Sequence, residues 1–79
     1  MENYNKYCEA FAKSFSISKD KLENLEYNKI DEWDSIGHMT LISELEGVFD
    51  ISIETDDVVD FSSFKKGMEI IKKYGVAIK

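Results

Sequence analysis

Between Ser35 and Phe49 the apolar residues Ile36, Met39, Ile42, Leu45 and Phe49 recur every three or four positions, and the chain contains no proline. That period fits one face of an α-helix, whereas the faces of a strand alternate every two residues. Leu41 and Val48 widen the stripe, and Gly37, Thr40, Ser43, Glu44, Glu46 and Gly47 fall on the opposite side. The spacing predicts a helix from 35 to 49 or 50, with Asp34 or Ser35 accepting a backbone N–H bond at its start.

The same period runs through Tyr4, Tyr7, Cys8, Phe11 and Phe15 and predicts a first helix over 2–15 with an aromatic stripe toward a core. Phe64, Met68, Ile70 and Ile71 predict a last helix, opened by Ser62 or Ser63, running to about Tyr74 and stopped by Gly75. The run "TDDVVDF" predicts a short helix at 56–61, with Thr55 as cap and Asp56 and Asp57 in its first turn, where the helix dipole favours negative charge. Residues 16–34 read as an irregular connection, long for a compact domain. Ile17, Leu22, Leu25, Tyr27, Ile30 and Trp33 are spread along it, as in a loop pinned over a core, and "SKDKLENL" adds a short helical turn capped by Ser18. The expected fold class is all-α, a four-helix bundle with a short third helix and a long loop between helices 1 and 2. The 79 residues leave room for one core, so 1–79 is expected to form a single domain, and a body of this size disfavours a deep enzyme pocket.

Charge is unevenly distributed. Residues 31–60 carry ten carboxylates and no lysine, and the other residues hold all ten lysines and six carboxylates. Such a field repels nucleic acid and anionic membrane and attracts basic protein surfaces. No segment approaches the length of a membrane span, and "MENYNKYCEAF" places charge where a signal peptide needs an apolar run. Cys8 is the one cysteine, which rules out an internal disulfide and suits a reducing cytoplasm. A cytoplasmic monomer is expected.

Most enzymatic chemistry is missing. His38, the one histidine, lies three residues after Ser35, but a base also needs an orienting third group. The acidic run from Asp50 is no calcium loop, because Thr55 stands where that loop needs glycine and Phe61 where it needs glutamate. Neither a glycine-rich phosphate loop nor zinc spacing occurs, and arginine is absent. No metal site and no catalytic residue are expected.

What remains is Ser35, preceded by a carboxylate and followed by the most regular helical run. The stretch "WDSIGHMTLISELEGVFDISIETDDV" resembles the acyl carrier proteins, whose hallmark is Asp-Ser followed by Leu, Ile or Met. The long loop before the serine, the apolar alternation after it, the acidic exit, the short third helix and the terminal fourth extend the resemblance over roughly the whole chain. It implies that Ser35 receives 4′-phosphopantetheine from coenzyme A through a separate magnesium-dependent phosphopantetheinyl transferase. It implies further that the arm's thiol carries acyl groups as thioesters, and that the chain is no enzyme. Asp34, Ile36, Glu46, Asp56 and Asp57 are then the expected recognition residues for the transferase and for acyl-loading ligases, synthases or transferases with basic patches. Met39, Ile42, Leu45, Val58, Phe61 and Met68 are the expected lining of an acyl groove. The glycines and hydroxyls at 37, 40, 43 and 47, where fatty-acid carriers have extra carboxylates, point to a dedicated carrier in a specialised biosynthetic pathway, and a fatty-acid-related pathway is the other expectation. An aminoacyl or peptidyl carrier, D-alanyl carriers included, stays open as an alternative. So does an acidic helical interaction module without a prosthetic group.

Overall fold

Helix formation follows the apolar periods, and local capping decides where each helix begins and ends. The computed structural model describes residues 2–78. In chain order it has α1 (Glu2–Phe15), a single 3₁₀ turn (Lys19–Lys21), α2 (Ser35–Phe49), α3 (Thr55–Asp60) and α4 (Phe64–Lys73). The expected all-α bundle is the observed one, with a short third helix and the long loop between α1 and α2.

Asp34 caps α2: its Oδ1 accepts the Gly37 N–H at 2.8 Å from an extended backbone, satisfying one of the donors left over at a helix start. The helix ends at Asp50, which adopts the left-handed conformation (φ 54°), and the N–H groups of Asp50 and Ile51 both reach the Glu46 carbonyl. Ser63 caps α4 by accepting the Lys66 N–H at 2.9 Å, Lys72 and Lys73 complement the dipole at its far end, and Gly75 (φ 86°) turns the chain away. One expected cap is corrected: Thr55 is the first helical residue of α3, because Glu54 occupies the cap position. Ser18 does occupy the cap position of the 3₁₀ turn, without a side-chain bond to it.

The core is aromatic. Phe11 of α1 lies within 6.1 Å, ring centre to ring centre, of Tyr7, Phe15, Trp33, Phe61 and Phe64, mostly edge-on. Each such side chain contributes about 1.5–3 kcal/mol when fully buried, with more from favourable ring geometry. The loop is pinned as expected: Leu22, Leu25 and Trp33 are buried in the same cluster. Two backbone bonds, Tyr27 N–H to Ser62 and Phe64 N–H to Leu25, fasten its middle to the start of α4.

The orientation of α2 differs from the pattern expected. Leu41, Ile42 and Leu45 are buried, but Ile36 and Met39, the first members of the apolar stripe, are 79% and 56% exposed. The half-buried ring of His38 takes their place, stacked on Trp33 with ring planes 17° apart. Trp33 arrives from the loop and fills the space beneath the first turn of α2, so the helix need not turn Ile36 inward to exclude water.

Candidate functional site at the start of α2

Because Asp34 spends its own side chain on the cap, Ser35 enters the helix as its first residue with an exposed hydroxyl. The nearest partner is the Tyr27 hydroxyl, 3.4 Å from Ser35 Oγ, and either oxygen can donate. The N–H groups of Ser35 and Ile36 belong to the helix's unsatisfied first turn, and the dipole adds positive potential there. A phosphate ester on this oxygen would meet donors and favourable potential.

Beside Ser35 opens a cavity of about 390 Å³, lined by Tyr27, Ser35, His38, Met39, Val58, Val59, Phe61 and Ser62. Its wall is held by His38. The indole N–H of Trp33 donates to His38 Nδ1 at 2.8 Å, and since an indole can only donate, the ring proton sits on Nε2. Nε2 then donates to the Val58 carbonyl at 2.7 Å, linking α2 to α3. Both ring nitrogens are thus engaged, neither of them with Ser35.

Of the expected groove residues, Met39, Val58 and Phe61 line this cavity. Ile42 and Leu45 do not: both are buried in the core, on the side of α2 that faces α1 and the aromatic cluster. Met68 lies on α4, packed half-buried against the core, and is likewise not part of the cavity wall. Alternation along α2 marks these residues as apolar, but the packing partner decides which of them face a groove.

The expected recognition residues also separate. Asp34 and Asp56 are exposed, and Ile36 projects into solvent near the start of α2. Asp57 is not exposed beside them. It is 6% exposed, receives Lys73 Nζ on Oδ1 at 2.6 Å and the Tyr74 hydroxyl on Oδ2 at 2.5 Å, and fastens α3 to the end of α4. The Lys73 hydrogen bond, then that from Tyr74, hold its carboxyl below the ordinary value of 3.8. Tyr74 in turn accepts the Glu54 N–H at 2.9 Å. Glu46 is half-buried and commits Oε2 to the Ile53 N–H at 2.8 Å, which braces the connection between α2 and α3. Glu44 pairs with Lys13 of α1 at 3.2 Å.

Comparison with known proteins finds a relative that aligns with nearly the whole chain. The chain is 30% identical over 92% of its length, and over 92% of the relative's, to an acyl carrier protein of Lactobacillus johnsonii. The chain belongs to the acyl carrier protein family. No family model matches it, and no solved structure does. Membership makes it a carrier rather than an enzyme in the broad sense of that family. Among the described residues no helix is long and apolar enough to cross a membrane, and no cluster of His, Cys, Asp and Glu could hold a metal ion.

Sequence reasoning missed four cavity residues of this carrier: Tyr27, His38, Val59 and Ser62. His38 carried a signal, one turn from Ser35. Tyr27 carried none, because the fold of the long loop alone brings it to the serine.

Proposed function

We propose that this carrier holds acyl groups as thioesters on 4′-phosphopantetheine attached to Ser35 and delivers them to partner enzymes. The observation that carries the reading is the exposed Ser35 hydroxyl at a helix start whose cap is already supplied by Asp34. The residues fit the group. Ser35 Oγ offers the attachment oxygen, the first-turn N–H groups of α2 face the phosphate position, and the Tyr27 hydroxyl is within reach of the same oxygen. When bound, the arm supplies a terminal thiol for thioester chemistry. Asp34, Asp56 and Ile36 offer an exposed, acidic and partly apolar surface to transferase and loading enzymes with basic patches, which suits fast, salt-sensitive encounters. Intact-mass measurement after incubation with coenzyme A, magnesium and a broad-specificity phosphopantetheinyl transferase tests the reading. One phosphopantetheine is expected on the wild type and none on Ser35→Ala. An unchanged wild-type mass with several active transferases would favour an interaction module without a prosthetic group.

A further inference from the structure

We infer that Tyr27 anchors the root of the arm, its phenol donating a hydrogen bond to the phosphate ester formed on Ser35. The inference rests on the reading that Ser35 carries 4′-phosphopantetheine. Local charge sets the requirement. The serine follows Asp31, Glu32 and Asp34, residues 31–60 hold no lysine, and the chain has no arginine. The stretch that presents the serine therefore offers an anion neutral donors rather than cations. Among the described residues, the side-chain group bonded to Ser35 is the Tyr27 hydroxyl, 3.4 Å from Oγ. That separation is longer than a settled O–H···O bond. The phenol is thus not spent on Ser35 and can turn to a stronger acceptor. A phosphate ester on the same oxygen brings such acceptors, because hydrogen bonds to charged oxygens are shorter and stronger than those to a hydroxyl.

The place of the Tyr27 ring does not depend on Ser35. The Tyr27 N–H donates to the Ser62 carbonyl at 2.9 Å, and Glu26 before it bridges to Ser63 at the start of α4. Asn28 turns the chain in the left-handed conformation (φ 67°), and its N–H donates to the Trp33 carbonyl at 3.0 Å, which closes the loop between them. The ring itself meets His38 at 5.3 Å and Trp33 at 6.2 Å, edge-on to both. Tyr27 nevertheless stays 40% exposed, open to an incoming group. A donor held in place beforehand loses little freedom when its acceptor arrives. Tyr27 and Ser35 line the same cavity, so a root held between them stays beside it.

The test compares wild type with Tyr27→Phe, which keeps the ring and removes only the hydroxyl. Each is unfolded by urea in the apo form and again after loading with coenzyme A, magnesium and a phosphopantetheinyl transferase, with loading checked by intact mass. The ratio of loaded to apo folding equilibrium constants should be roughly threefold or more larger in the wild type, near the lower end of what one net hydrogen bond contributes. A tyrosine with a structural role alone would change both forms alike and leave the two ratios equal. The single phosphorus of the loaded protein gives a second readout. Its magnetic resonance should differ between the two folded proteins and coincide once both are unfolded. A wild type that gains no mass defeats the carrier reading itself and this inference with it. Loading with equal ratios, or with a phosphorus resonance that the two folded proteins share, defeats only the role of Tyr27.

Discussion

Asp34 takes the Gly37 N–H on Oδ1 at 2.8 Å, and this one bond leaves the hydroxyl of the next residue, Ser35, unspent. A cap and the proposed attachment residue placed side by side divide two tasks that a serine at the cap position could not perform together. Its hydroxyl would be turned toward the helix axis and its lone pairs committed to a backbone donor.

The cap and the charge of Asp34 are separable. Asp34→Ala should destabilise the protein by about 1 kcal/mol, the usual cost of losing a side-chain cap. Asp34→Asn should keep most of that stability, since an amide oxygen caps equally well. If the carboxylate also recruits the transferase, Asp34→Asn will slow modification of Ser35 while denaturant unfolding stays near the wild type. Urea titration and a modification time course measure the two effects independently.

Two glycines of α2 should respond to alanine with opposite signs. A Cβ on Gly37 would lie 1.8 Å from the Glu32 carbonyl oxygen, so the loop segment before Asp34 can approach the helix only where a side chain is absent. Gly37→Ala should therefore destabilise by about 1–3 kcal/mol, as over-packing does, and disturb the presentation of Ser35. Gly47 faces open space, and Gly47→Ala should stabilise by about 0.5–1 kcal/mol through helix propensity. Thermal and urea unfolding of the two variants check both signs.

Acid should loosen α3 through Asp57. Its bonds to Lys73 and then Tyr74 lower the folded carboxyl below its ordinary 3.8. The resulting stability is present above that ordinary value and is lost as pH falls through the lowered folded one. Urea midpoints should fall steeply below about pH 4 in the wild type and less steeply in Asp57→Asn, which should also be less stable at neutral pH. Equal slopes in the two proteins would refute this assignment.

Tyr7 anchors α1 to α4 by donating its hydroxyl to the Phe64 carbonyl at 2.6 Å in the buried core. Tyr7→Phe should cost about 1–2 kcal/mol, a lost bond plus an acceptor left dry. Burial pushes the phenol well above its ordinary value of 10.0. The stability that neutral Tyr7 contributes is therefore complete below that value and is lost as pH rises toward the folded one. Alkaline unfolding followed by circular dichroism should be less pH-dependent in Tyr7→Phe than in the wild type.

The limits of α1, α2 and α4 were legible because helical period, capping residues and stop residues are all local. So was Ser35, since an acidic residue, a serine and an apolar run form one continuous signal. The burial of Asp57 was not legible, for the complementary reason. An aspartate in the first turn of an acidic helix looks solvated, and only the return of α4 brings Lys73 and Tyr74 to cover it. Glu46 was half-read in the same way, its carboxylate being drawn back to Ile53 by the turn at Asp50.

By itself the chain determined four helices, the limits of three of them and one serine at the head of the second, because hydrogen bonding and hydrophobic period along a helix depend on neighbours only a few residues apart. Tertiary packing decided which face of α2 is core, and therefore that His38 rather than Met39 turns inward. It also decided that Tyr27 meets Ser35 and that a cavity lined from both α2 and α3 opens beside Ser35. These outcomes depend on how the long loop folds back so that Tyr27 and Trp33 both pack against His38. No pattern within α2 encodes how the loop just before it will fold its indole against His38.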